Sequence, residues 1–179
     1  MLVGVSPSVF NFEERIYIMA YVSQTDKKSL APAIKAVLKK FNMKGTIAVR
    51  HHSTLVVNLK EGALDILGAR KRAALADNNV DFSDKYDVER LNYVLESTHV
   101  DVNPYWIETG YDCSTVVDFL LQLKKAMEGP HFFNEDDIMT DYFHRSHYVD
   151  INVGNWDKPY VCTGEAQTFE PIKVQELAA

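Results

Sequence analysis

Two segments combine histidine, a hydroxyl-bearing residue and a β-branched apolar run. They are Arg50-His51-His52-Ser53-Thr54-Leu55-Val56-Val57-Asn58-Leu59 and His144-Arg145-Ser146-His147-Tyr148-Val149-Asp150-Ile151-Asn152-Val153. β-Branched side chains lose freedom in a helix and suit a strand. Each segment comes after an apolar stripe at helical spacing. Leu30, Ile34, Val37, Leu38 and Phe41 make the first stripe, and Val116, Leu120, Leu123 and Met127 the second. Amphipathic helices and strands of this kind must cover one another, which predicts an α+β class. The expected architecture is an antiparallel sheet of 46–50, 54–59, 147–153 and 160–163, with two main helices, near 30–42 and 114–128, packed on it.

Punctuation along the chain supplies the boundaries. Ser23 and Thr25 are candidate caps of the first helix, Pro32 favours a start around Ala31, and Gly45 stops it. Thr46–Arg50 and Thr54–Leu59 are the arms of a hairpin, antiparallel because so few residues join them. Glu14–Val22 alternates loosely, as a strand or as a lead-in to the helix. Ala63–Ala76 reads as a helix, with Gly68 against it. Asp77–Glu89 reads as an acidic surface loop. Leu91–Val100 and Tyr105–Ile107 read as strands around the Asn103-Pro104 turn. Ser114 caps the second main helix and Gly129-Pro130 ends it. Asn134 caps a short helix that includes Ile138, Met139, Tyr142 and Phe143. Residues 1–163 thus form a single α+β domain, and 164–179, without periodicity, a loosely held tail. Leu38–Gly45 echoes Leu123–Gly129. A distant duplication of an αββ unit is one reading of that echo; chance reuse of common helix formers is the other.

The chain has 179 residues and a net charge of −6. Its charge is unevenly spread. Residues 1–60 carry nine Lys/Arg against three Asp/Glu, and residues 61–179 carry ten against twenty-two. Such a split gives either a dipolar surface that attracts acidic partners or two solvated faces that pair with each other. Absence of a long apolar run argues against a membrane span. Met1–Phe12 lacks the basic region and cleavage site of a signal peptide. Cys113 and Cys162 read as two reduced thiols of a cytoplasmic protein rather than a disulfide or zinc framework.

Imidazole titrates near neutrality, so two of them can divide general-base and general-acid roles. Hydroxyls can hold phosphate oxygens. His52-Ser53-Thr54 and His144-Arg145-Ser146 supply both. This pair resembles the signature of the 2H phosphoesterase superfamily, in which two His-x-Thr/Ser motifs from two halves of a pseudo-symmetric α+β fold meet in one cleft. The resemblance implies His52, Thr54, His144 and Ser146 as catalytic residues. Ser53 and Arg145 stand where that family usually has an apolar residue.

Other constellations point elsewhere. Asp141, His144, His147 and Asp150 recur every third residue, but a strand from Tyr148 onward would send alternate side chains to opposite faces. No metal and no cofactor are expected. Lys27, Lys28, Lys35, Lys39, Lys40, Lys44 and Arg50 sit on or beside the first helix and its hairpin, where Lys35, Lys39 and Arg50 are candidate contacts to nucleic-acid phosphates. Trp156 and Tyr160, around the Gly154–Pro159 turn, are candidate anchors for a protein partner; the alternative is that they fold back on the core, as large aromatics near turns often do.

Three stretches are similar to uncharacterised proteins of tailed bacteriophages. These are Leu30–Lys40, Gly45–Leu59, and Asp141-Tyr142-Phe143-His144-Arg145-Ser146-His147-Tyr148 running on to Tyr160. The first two also look like a domain of large polyvalent proteins of phages and conjugative elements. The resemblance implies a small accessory protein made in an infected bacterium and acting in the host cytoplasm on host or phage machinery. The leading expectation is therefore a non-enzymatic protein that binds a macromolecular partner. A 2H-like phosphoesterase is the alternative, and nucleic-acid binding through the Lys-rich helix and hairpin the second.

Overall fold

The computed structural model describes residues 20–137, 139 and 144–173. Most of the Glu14–Val22 segment, and residues 138 and 140–143 of the expected short helix, lie outside these. The first helix, α1 (Gln24–Lys40), starts well before Ala31, with Pro32 inside it. A capping box explains the earlier start. Asp26 N donates to Ser23 Oγ at 3.0 Å, and Ser23 N donates back to Asp26 Oδ2 at 2.8 Å.

The hairpin follows as β1 (Met43–Arg50) and β2 (Thr54–Gly62), paired antiparallel. Its turn holds His51 and His52 at φ 52° and 56°, and Ser53 N donates to Arg50 O at 3.2 Å. Two successive left-handed residues match the twist that tight hairpins favour. Next come α2 (Ile66–Leu75) and α3 (Lys85–Glu96). Residues 77–84 form the expected surface loop, but α3 takes in its last five residues, 85–89, and most of the expected Leu91–Val100 strand. Asp84 caps it, accepting from Tyr86 N at 2.7 Å. Of that expected strand only Val100 is strand, as the first residue of β3 (Val100–Val102), and Tyr105–Ile107 is turn rather than strand.

α4 (Ser114–Glu128) is the second main helix; Cys113 rather than Ser114 holds the cap position, without a side-chain bond. In place of a helix start, Asn134 makes an isolated bridge to Arg145. β4 (Tyr148–Val153) and β5 (Val161–Cys162) complete the sheet.

The class is α+β, but the sheet is mixed rather than wholly antiparallel. Its order is β1-β2-β4-β3, with β5 also on β2. β4 and β5 both run parallel to β2, and β3 runs antiparallel to β4. A parallel neighbour needs a long crossover, and residues 63–147 supply it. The two halves also differ. β1 and β2 pair with each other, whereas β4 and β5 each pair with β2.

Period-two alternation puts Leu55, Val57, Leu59, Ile151 and Val153 on the face that α1 and α4 cover. Ile34, Leu38, Phe119, Leu120, Leu123 and Met127 meet them from the helices. Each such buried side chain contributes roughly 1.5–3 kcal/mol over leaving it in water. The opposite face carries polar groups, among them Arg50 bonded to Asp150 and Asn152 bonded to Asn58 at 2.9 Å. Residues after Gly164 contact α2 and α3. Gln167 N donates to Asp65 Oδ2 at 3.1 Å, and Ile172 and Asn92 exchange two bonds of 2.7 and 2.8 Å.

Candidate functional site

The parallel ladder brings the two histidine motifs to one end of the sheet but not into register. It pairs residues whose numbers differ by 94, as Thr54 with Tyr148. The motifs are 92 apart, His52 to His144. His52 therefore lies level with Ser146, and one extended segment joins them. Val22 N donates to His52 O and Tyr21 N to Ser146 O, both at 2.8 Å.

The two imidazoles have separate partners. His52 stacks on the Tyr21 ring, with centroids 6.5 Å apart. His144 Nδ1 is 2.9 Å from Glu135 Oε2, and its ring packs against Phe133. Thr54 is buried on the sheet face turned away from the helices, 3.5 Å from Ser53 Oγ. Ser146 lines a cavity of about 400 Å³ between the start of α1 and the end of α4; His52, Thr54 and His144 do not.

His147, beside Ser146, is the buried imidazole of this region. Its Nε2 lies 3.1 Å from Met127 O. A carbonyl only accepts, so Nε2 carries the hydrogen. On the neutral ring Nδ1 is then an acceptor, and Ser146 Oγ stands 3.2 Å from it. Hydroxyl, imidazole and an orienting acceptor in sequence are the parts of a nucleophilic site. The cavity chemistry works against that use. Asp26 and Glu128 also line it, and Ser23 holds the Asp26 carboxyl below its ordinary range, as an anion. Carboxylates beside the hydroxyl oppose a phosphate or a developing oxyanion. What His147 does in the fold is plain: it ties the start of β4 to a carbonyl at the end of α4, where a donor is favoured. Nothing in the sequence separates it from His144, because its partner lies on another element.

Arg145 is fixed on every side. Its guanidinium is bonded to Asp136 through Nε (2.9 Å) and Nη2, bonds Tyr105 Oη at 3.2 Å and lies over the Tyr148 ring. Arg145 in turn holds the Asp136 carboxyl below its ordinary range.

The expected binding residues are dispersed. Lys35 and Lys39 are exposed on α1. Arg50 spends its charge on Asp150 across β2. Trp156 is 78% exposed in the turn after β4. Tyr160 is no anchor on an exposed loop: it is 7% exposed, and its hydroxyl donates to Leu64 O at 2.8 Å. A large aromatic next to a turn buries well when its hydroxyl finds an acceptor. Among the described residues no helix is long and apolar enough to cross a membrane.

Two features escape sequence reading. Tyr86 and Tyr93, seven residues apart on α3, are 80% and 73% exposed. That spacing puts them on one side of the helix, and Arg90 lies between them. Beyond α2, a cleft of about 860 Å³ opens toward Trp106, which is 63% exposed. The overlooked signal was the Asp84 cap, three residues ahead of Asp87, which marks a helix start inside the acidic stretch.

Compared with known proteins, the chain matches no family model, no curated protein and no solved structure.

Proposed function

We propose that the chain acts without turnover, by binding a protein partner through the outward side of α3. The observation that carries this reading is the exposed pair Tyr86 and Tyr93 with Arg90 between them. Tyrosine and arginine are the residues most enriched at binding hot spots, because each offers a large contact area with a polar tip. The surroundings favour a protein over a nucleic acid. Asp77, Asp81, Asp84, Asp87 and Glu89 lie in or just before α3. That charge repels phosphate and suits a partner with a basic rim. The resemblance to tailed-phage proteins adds a setting, the cytoplasm of an infected bacterium, and a role as an accessory protein.

The test is cross-linked co-purification of the tagged protein from cells that make it. Tyr86→Ala/Tyr93→Ala should lose a stoichiometric partner that Lys35→Glu/Lys39→Glu keeps. Equal capture by both variants would overturn the reading. So would hydrolysis of a cyclic phosphodiester that His52→Ala and His144→Ala each abolish.

A second reading has one observation behind it. Lys28, Lys35 and Lys39 are exposed along α1, and none has a carboxylate partner among the described residues. Nucleic-acid binding through them should weaken steeply with salt and disappear in the lysine variant. Binding that ignores salt would exclude it.

A further inference from the structure

β1 ends the sheet on one side, and among the described residues it pairs only with β2. Every second residue of β1 therefore points its N–H and C=O outward without a ladder partner. Sheets commonly blunt such an edge with proline, inward charge or a bulge. Here the register shift lies between Lys44 and Gly45, near the start, and Thr46-Ile47-Ala48-Val49 contains neither proline nor charge. Lys44 and Arg50, toward the two ends, are bound to Glu61 and Asp150. Ile47 and Val49 share a face with the fully buried Leu55 and Val57 yet are only partly buried.

α1 runs the length of this strand. Asn42, between the two, donates to Lys39 O, and at the far end Val22 N donates to His52 O just past β1. Toward α4, Leu30 packs at Gly129, Lys40 bonds Gln122 at 2.9 Å, and Phe41 meets Phe119. With about 3.6 residues per turn, Lys28, Lys35 and Lys39 fall on the opposite side of α1, above the outer edge of β1. All three are exposed, and none has a carboxylate partner among the described residues. Asp26, the one acidic residue of α1, lines the cavity on the α4 side instead.

We propose that the outer edge of β1 receives an extended acidic segment of a partner protein as an added strand, with carboxylates at alternate positions beneath Lys28, Lys35 and Lys39. The lengths agree: Lys28 to Lys39 spans roughly 17 Å of helix, and a strand of five or six residues about 17–20 Å. Glutamate suits the alternate positions, because its methylene stem covers Ile47 and Val49 while its carboxylate reaches a lysine. A nucleic acid can use the lysines but not the ladder groups. A second copy, added antiparallel, would bring two lysine rows face to face. The surface is separate from the α3 side, which carries the function proposed above.

The test is titration with a peptide of alternating glutamate and threonine, as long as β1, read by calorimetry and by amide hydrogen exchange. It should bind saturably and protect alternate amides of β1. Proline in place of its central threonines, or lysine in place of its glutamates, should abolish binding. Lys35→Glu/Lys39→Glu should weaken it about tenfold or more. Tyr86→Ala/Tyr93→Ala should leave it unchanged, so failure of the α3 reading and failure of this one are separable. No binding, binding without new protection in β1, or equal binding of the proline peptide would overturn the proposal. So would a single-stranded oligonucleotide that binds the same lysines more tightly, or protection of β1 that rises with protein concentration alone and marks a second copy as the occupant.

Discussion

Gly68 stands in the first turn of α2, where its N–H donates to the Asp65 carboxylate at 3.0 Å. A Cβ at this position would run into that carboxylate. Alanine normally gains about 1 kcal/mol over glycine inside a helix, and losing a cap costs about the same or more. Gly68→Ala should therefore be no more stable than the parent in urea unfolding; a raised midpoint would show that the cap is not the reason for the glycine. His147→Phe keeps the ring volume but strands Met127 O, and should cost about 1–3 kcal/mol by the same measurement. Burial also holds the Tyr160 hydroxyl far above the ordinary phenol value, helped by the negative charges of Cys162, Asp65 and Glu61. The unfolded chain ionises this group near pH 10, while the folded chain keeps it neutral. Stability is then complete below about pH 10 and falls as pH rises beyond it. Urea midpoints on either side of that value should diverge, and less so in Tyr160→Phe. At this scale the candidate site is only half legible. The residue types of His52 and Ser146 can be read, but a two-residue slip between strands cannot, since it depends on how the crossover returns β4 to β2.

Both ends of the α1–α4 pair rest on local devices. Ser23→Ala removes one half of the α1 capping box and should cost about 1 kcal/mol. Ser23 also holds the Asp26 carboxyl low, so this contribution is present above the ordinary carboxylate range and lost as pH falls through the folded value. Acid titration of the parent and of Ser23→Ala should converge at the low end. At the other end, Gly129 stops α4 at φ 71°, with Leu30 of α1 packed where a side chain would go. Gly129→Ala should destabilise by about 1 kcal/mol or more through positive-φ strain and that contact. The helices were legible because their apolar stripes are local: Leu30 to Leu38 and Val116 to Met127 report burial without reference to the rest of the chain. α3 was not. Leu91, Tyr93, Val94 and Leu95 form a nearly unbroken apolar run, which suggests a strand, and only the fold shows that Tyr93 faces water. The direction of β4 was equally hidden, because nothing in a strand's own sequence says which way its neighbour runs.

Over the whole molecule, the segment after β5 works as a strap. Gln167 engages Asp65 and Arg72 of the α2 end, and Ile172 engages Asn92 of α3. Deleting residues 165–179 should lower hydrogen-exchange protection in α2 and α3 while leaving the sheet protected; uniform loss would mean that the strap belongs to the main cooperative unit. β2 has a different standing, since β1, β4 and β5 all bond to it. The exposed stretch 76–79 divides the chain so that β2 goes with the first piece and both its parallel partners with the second. Neither fragment can complete a sheet by itself. Expressed separately, the halves should remain unstructured apart and reassemble when mixed, so that a nick in one surface loop turns a single continuous chain into an obligate two-part complementation system.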